Sequence, residues 1–361
     1  MSTLEQSAGE QRRVAILGSG YTAAVAAEII HHHPDFKLAV VASRSKAGGR
    51  FDWISQDWAV PLHGLPIVIE HPSNIFEDPE SWELDAALVT YADAEGAEAS
   101  ETLQANGLRV VDLGGGLRLR DPETRERWYG EDTATDLLAS EDVVYGLTEL
   151  YRDEIREAEV VANPGCYPTA SVLGLAPLAR EGLIESVQIE AYSGISGAGL
   201  GGREKFKDTR GDVVEYGRDG HRHQPEIEQE LAALGCHGPV EFRPHVITDV
   251  FQGMSLNCNV TLNREAYRDE IETLYQDAYR DEPFVEVVVR PPSMEAVRET
   301  NLCRMYVASL DIVKGNKFSV RVVIDNLWKG ASSQAVQNLN LMHGLPEETG
   351  LPASTLERIA G

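Results

Sequence analysis

Cys166 is the side chain in this sequence best placed to act as a nucleophile. It lies in Asn163-Pro164-Gly165-Cys166-Tyr167-Pro168-Thr169, which follows the β-branched run Val160-Val161-Ala162 and precedes a segment, Thr169 to Leu178, with apolar residues at Val172, Leu173 and Leu175. The first run reads as a strand and the second as a helix, so the thiol stands at a strand-to-helix junction. Pro164-Gly165 is a turn pair, and Pro168 suits the first helical position, where its missing N–H costs nothing. A thiol there faces unpaired N–H groups and the positive end of the helix dipole, and both favour thiolate. A free cysteine more often serves as a small core residue. The turn residues on both sides argue here for a nucleophile.

A nucleophilic thiol needs a base. His221-Arg222-His223-Gln224-Pro225-Glu226-Ile227 places two histidines and an arginine just ahead of a helix, and imidazole is the side chain suited to proton transfer near neutral pH. His223 and His221 are the candidates, with His245 in Arg243-Pro244-His245 a third. His31-His32-His33 ends a helix and reads as a C-terminal cap, with no metal site expected. Ser193-Gly194-Ile195-Ser196-Gly197-Ala198-Gly199 is small and glycine-rich, able to wrap a ligand with backbone N–H groups.

A dinucleotide is expected near the N-terminus. Val14 to Leu17 reads as a buried strand, Ala24 to His32 as a helix, and Gly18-Ser19-Gly20-Tyr21-Thr22-Ala23 between them matches G-x-G-x-x-A. Those glycines let the backbone approach a pyrophosphate, whose charge the helix N-terminus holds. The next strand, Leu38 to Ala42, ends in Ser43-Arg44-Ser45-Lys46. An NAD-binding chain tends to carry an acidic residue there for the ribose hydroxyl; Ser43 and Arg44 suit a 2′-phosphate, so NADP is the expected cofactor.

These residues need a scaffold of two domains, which a length of 361 residues supports. Alternating strands and helices over residues 13–163 predict an α/β, Rossmann-type dinucleotide-binding domain after a disordered lead-in at 1–12. From 164 to 325 mostly strands, with helices at 226–234 and 265–280, predict an α+β domain with a mixed or antiparallel sheet. A helix with a small-residue face over 326–345 is expected to return to the first domain, leaving 346–361 as a tail. Gly114-Gly115-Gly116 follows the strand Leu108 to Leu113 at the sheet's carboxyl edge; Arg118, just beyond, is a candidate to meet an anion, and Arg120 reads as solvated surface. The four cysteines are scattered, which excludes a C-x-x-C zinc site or disulfide framework and fits a reducing cytoplasm. A formal charge of -26 disfavours nucleic acid and anionic membranes as partners, and a phosphate-handling site would need its own arginines.

Six of these blocks, in order over residues 14–345, resemble the N-acetyl-γ-glutamyl-phosphate reductase family, within the aspartate-semialdehyde dehydrogenase-like acyl-phosphate reductases. They are Gly18 to Thr22, Tyr145-Gly146-Leu147, Asn163 to Thr169, Ser193 to Gly199, His221 to Ile227 and Asp325-Asn326-Leu327-Trp328-Lys329-Gly330-Ala331. The resemblance implies an acyl-phosphate substrate attacked by Cys166, a thioester reduced by NADPH, and a histidine, His223 before His221, moving protons. It implies cofactor contacts from Gly18, Ser19, Gly20, Tyr21, Thr22, Ser43, Arg44, Ser196, Gly197 and Asn326. It implies substrate contacts from Arg118, Asn163, Ser193 and Gly194, and a homodimer or homotetramer built on the second domain's sheet. Three departures stand out: Gly114-Gly115-Gly116 where the family carries Ser and Asp, Leu200 where it carries Arg, and Gln252 where it carries Arg. They leave open the same chemistry on another acyl phosphate, such as a carrier-protein-linked glutamyl or aminoadipyl phosphate, or a non-catalytic NADP-binding paralogue.

Overall fold

The structure, a computed structural model, describes residues 11–51, 67–130, 136–139, 142–199, 201–209, 211–217 and 219–353. Most of the expected lead-in, and the tail beyond 353, lie outside the described residues. The chain forms two sheets. The first is parallel and holds β1 (Arg12–Leu17), β2 (Phe36–Ala42), β3 (Ala86–Val89), β4 (Arg109–Asp112), β5 (Val143–Tyr145) and β6 (Val160–Ala162) in the order β2-β1-β3-β4-β6-β5. Val14–Leu17, β3 and β6 are buried throughout, as strands covered on both faces must be. β1 lies between β2 and β3, so the strand order reverses at its carboxyl end, and there a ligand crevice opens. Pairing of β5 in parallel with β6 makes it the sheet's edge.

The first helix, α1 (Tyr21–His32), begins three residues before the expected Ala24, because Gly20 occupies the N-cap in extended conformation and releases Tyr21 into the helix. Its end matches the expectation: His33 is the C-cap, and the His32 ring meets the Glu28 carbonyl at 2.9 Å. Further helices are α2 (Asp93–Ala105), α3 (Pro122–Tyr129), α4 (Thr148–Glu157), α5 (Cys166–Arg180), α6 (His223–Ala233) and α7 (Arg268–Ala278).

The second sheet is mixed, with β7 (Ile184–Gly194), β8 (Val213–Glu215), β9 (Val240–Ile247), β10 (Met254–Tyr267), β11 (Val285–Val287), β12 (Cys303–Ser309) and β13 (Lys314–Ile324) in the order β11-β12-β13-β10-β7-β9-β8. β12 was not expected. Its alternation of buried Cys303, Met305 and Val307 with half-buried Arg304 and Tyr306 is the period of a strand with one covered face. α5 fills the core against this sheet, buried from Tyr167 to Ala179. A Cβ at Gly174 would stand 2.6 Å from Val322 Cγ2, so the glycine permits the close approach of α5 to β13.

After β13 the chain turns on Asp325, whose Oδ1 accepts from the Leu327 and Trp328 N–H groups. A π-turn over Trp328–Ser332 then leads into α8 (Ser333–Met342). That helix lies on α1, α4 and β4, the return to the first domain that the sequence predicted. A buried ion pair, Lys329 Nζ to Glu149 Oε1 at 2.6 Å, ties it there. No helix among the described residues is long and apolar enough to cross a membrane.

Candidate active site

Gly165 is the N-cap of α5, with φ -68° and ψ 155°, and Cys166 is its first residue. Pro168 is therefore the third helical residue rather than the first. Its missing N–H is still one of the four without an intrahelical partner, so it fits as well there. Thr169 is the first to close the helical ladder, donating to the Gly165 carbonyl at 2.9 Å.

Cys166 forms part of the wall of two adjoining cavities of about 450 and 320 Å³. The larger holds Ser193, Gly194, Gly197, His221 and Tyr216, and the smaller holds Gly20, Tyr21, Asn163, Ser196, Asn326 and Gly330; Thr22, Arg118, Arg222, His223 and Gly197 line both. The fold thus gathers the strand-to-helix cysteine, the H-R-H block, the glycine-rich loop and the start of α1 in one cleft. Gly18, Ser19, Ser43 and Arg44 lie outside these two cavities, at the ends of β1 and β2. His245 is not brought in; its ring stacks on Tyr192 with centroids 4.8 Å apart.

His223 and Arg118 converge on Gly165. A Cβ placed there would lie 2.6 Å from His223 Nε2 and 2.9 Å from Arg118 Nη1. His223 Nδ1 is buried without a hydrogen-bond partner, and the backbone N–H of His223 donates to His221 Nδ1 at 3.1 Å. Burial, then His221, Arg118 and Arg222, hold the His223 imidazole well below its ordinary value. Burial, with Arg222 and Lys205, holds His221 down to about 4. The cysteine departs from the expectation of a favoured thiolate. Burial pushes its thiol up to about 11, outweighing the opposing pull of Arg118 and the Tyr167 N–H. Burial thus opposes ionisation of both side chains, of the thiol from above and of the imidazole from below.

Arg118 is fixed by three groups: Nε donates to the Asn163 carbonyl at 2.8 Å, Nη2 to the Leu113 carbonyl at 2.8 Å, and Nη1 lies 3.5 Å from Glu226 Oε2. Glu226 went unassigned in the sequence reading and is fully buried. Its Oε1 accepts from the Gly165 N–H at 2.8 Å and the Tyr145 hydroxyl at 2.7 Å. Its signal was its place three residues after His223 on α6, a spacing that puts both on one helix face. Asn163 turns its side-chain amide to the Ala331 carbonyl at 3.1 Å and accepts from Asn338 at 3.1 Å. Asn326 accepts from the Gly253 N–H at 2.7 Å and donates to Ser196 Oγ at 3.0 Å. Both amides therefore shape the cleft wall, and Ser193 Oγ donates to the Gly194 carbonyl at 3.1 Å. Arg120, read as solvated, pairs with the buried Glu230 carboxylate at 2.9 Å.

The start of α1 fits a dinucleotide. Gly18 has φ +126°, and a Cβ there would strike Thr90 Oγ1 at 1.9 Å. A Cβ on Gly20 would meet nothing within 4 Å, and the helix has no side-chain cap, so there is room for a pyrophosphate to approach its N-terminus. Ser19 Oγ donates to the buried Ser43 Oγ at 3.0 Å, and exposed Arg44 meets Glu95 at 3.1 Å. No carboxylate follows β2 where a ribose 2′-hydroxyl would be held: the residues are Ser43-Arg44-Ser45-Lys46.

Residues 13–158 match the family model of the semialdehyde dehydrogenase NAD binding domain, and residues 166–326 that of the semialdehyde dehydrogenase dimerisation domain. The chain is 41% identical over 347 residues to an N-acetyl-gamma-glutamyl-phosphate reductase of Alkalilimnicola ehrlichii, covering 93% of this chain and 96% of that one. It is 39% identical over 341 residues to one of Dehalococcoides mccartyi, covering 93% and 95%. Among solved structures, aspartate semialdehyde dehydrogenase II of Vibrio cholerae, complexed with ASA, superposes with a TM-score of 0.66 at 16% identity over 93% of this chain and 99% of that one. The Candida albicans enzyme with NADP gives 0.66 at 15% identity over 92% and 99%. At such identities the likeness is one of fold.

Proposed function

The chain belongs to the N-acetyl-γ-glutamyl-phosphate reductase family, and from that premise we propose that it reduces N-acetyl-γ-glutamyl phosphate to N-acetylglutamate semialdehyde, releasing phosphate, with NADPH as reductant. The observation that carries the reading is the convergence of His223 Nε2 and Arg118 Nη1 on the residue before Cys166, in a cleft shared with the start of α1.

His223, neutral at physiological pH, takes the thiol proton as Cys166 Sγ bonds to the acyl carbon. Arg118 and the unpaired N–H groups at the start of α5 stabilise the charge that develops on the acyl oxygen and the departing phosphate. The acyl group is then held as a thioester on Cys166. A bound NADPH supplies hydride. His223 returns its proton as the Cys166 Sγ–C bond breaks and the aldehyde leaves. Glu226 is a positioning residue: it holds the Gly165 N–H and sits against Arg118. Arg44 would swing from Glu95 to the 2′-phosphate, which supports NADP over NAD. A cytoplasmic homodimer or homotetramer formed through the second domain completes the reading.

The test runs the reaction backwards. Purified protein is mixed with N-acetylglutamate semialdehyde, phosphate and NADP⁺, and NADPH absorbance is followed, with NAD⁺ as control. Phosphate-dependent NADPH formation is expected; its absence in protein that still binds NADPH refutes the reading. Cys166→Ala should abolish the signal with NADPH binding intact, and residual turnover would refute the thioester.

A further inference from the structure

We propose that Lys205 binds the carboxylate of the substrate's acyl group and so sets acyl specificity, an inference that rests on the reaction proposed above. The reacting end of an acyl phosphate carries its phosphoryl charge, and a glutamyl derivative carries a second anion, its free carboxylate, a short chain away. Among the described residues, three cations line the cleft: Arg118, Arg222 and Lys205. Arg118 stands beside Gly165 against Glu226, where the phosphoryl group departs. Arg222 is joined to Asp93 at 3.2 Å. Lys205 has no carboxylate partner among the described residues, although its neighbour Lys207 is paired with Glu204. An unpaired cation in the wall of a cleft is informative in a chain of net charge -26.

Its placement fits the far end of the acyl chain. Lys205 lines the larger cavity, which Cys166 shares and which Gly20, at the dinucleotide turn, does not. Lys205 is exposed at the mouth of the cleft, and its Nζ lies 5.3 Å from the Phe206 ring centroid and 5.6 Å from that of Tyr216, where two aromatic faces attract the ammonium. The Tyr216 hydroxyl meets that of Tyr167, the residue next to Cys166, at 3.0 Å. These two tyrosines span the distance from the thiol to Lys205, and an acyl chain laid along them puts its carbonyl on Cys166 and its carboxylate on Lys205. The ammonium is close enough to help hold the His221 imidazole below its ordinary value, so an anion there also relieves a repulsion within the site.

The experiment is the reverse assay on wild type, Lys205→Met and Lys205→Arg, with N-acetylglutamate semialdehyde and with its α-carboxamide. Met keeps the length of the aliphatic stem and removes the ammonium. In Lys205→Met the KM for the carboxylate substrate should rise roughly tenfold to hundredfold, the scale of one charge-assisted hydrogen bond. The KM values for phosphate and NADP⁺ should not move, and the preference for carboxylate over carboxamide should vanish. Arg should restore most of it. Retention of the wild-type preference in Lys205→Met would overturn the assignment, as would an effect that falls on the KM for phosphate. Absence of turnover in wild type would overturn the proposed reaction and this assignment with it, whereas active wild type with an unmoved preference overturns the assignment alone.

Discussion

Gly165→Ala adds a single methyl group against His223 and Arg118, next to Cys166. The backbone at Gly165, with φ -68° and ψ 155°, is one that alanine adopts without strain. By itself the change removes freedom from the unfolded chain and is worth about 0.4–1 kcal/mol of stability. The harm is local. The new Cβ would stand 2.6 Å from His223 Nε2, where ordinary contact begins near 3.4 Å, so the imidazole must retreat by roughly 0.8 Å. Arg118 Nη1, at 2.9 Å, must give way too. A misplacement of about 1 Å in a reacting group costs on the order of a hundredfold in rate. Initial rates in the reverse assay should therefore show kcat down about a hundredfold, with the KM for NADP⁺ unchanged. Thermal unfolding should shift by no more than about 3 °C. A kcat equal to that of wild type would refute the reasoning, because the chemistry would then not depend on where His223 and Arg118 stand.

Gly20→Ala should leave thermal stability alone, since its Cβ meets no protein atom within 4 Å, but should raise the KM for NADPH, because that open space is the approach to the start of α1; an unchanged KM would place the pyrophosphate elsewhere. Arg44→Ala should raise the KM for NADPH by about tenfold and that for NADH little, and equal effects would mean that Arg44 does not meet the 2′-phosphate. With the Cys166 thiol pushed up to about 11, the thiolate fraction climbs throughout the neutral and mildly alkaline range. Iodoacetamide labelling of Cys166 in the free enzyme should therefore rise about tenfold per pH step up to pH 9, and a plateau near neutrality would show a thiolate already formed.

What could be read from the sequence was what repeats or what turns. The parallel sheet followed from apolar runs such as Val14 to Leu17 and Val160 to Ala162, and the placement of Cys166 followed from Pro164 and Gly165. β5 escaped because three residues ending in Tyr145 carry no period, and only β6 alongside makes them a strand. β12 escaped although Cys303, Met305 and Val307 alternate with polar residues, because the run is short and holds an arginine. Glu226 escaped for another reason. A glutamate on a helix is ordinarily surface, and its burial depends on the first domain supplying Arg118 and Tyr145. Those partners lie more than eighty positions away in sequence, beyond the reach of any local pattern.

The thiol shows why a local rule can point the right way and still lose. The start of α5 does offer unpaired N–H groups, and Arg118 and the Tyr167 N–H do pull the thiol down. The same fold half-buries Cys166 beneath the segment after β13, where a Cβ on Gly330 would come within 2.8 Å of Cys166 Cβ. It also sets Glu226 close enough to oppose Arg118. Desolvation exceeds the dipole because a helix terminus stabilises a charge by a fraction of what leaving water costs it. The imidazole is pushed the opposite way by the same burial, so a thiolate–imidazolium pair is disfavoured on both sides before substrate arrives. In the proposed reaction, proton transfer from Cys166 to His223 therefore accompanies formation of the Sγ–C bond. The cations that leave the free thiol unionised become effective at that moment, when the acyl oxygen and phosphate present them with negative charge.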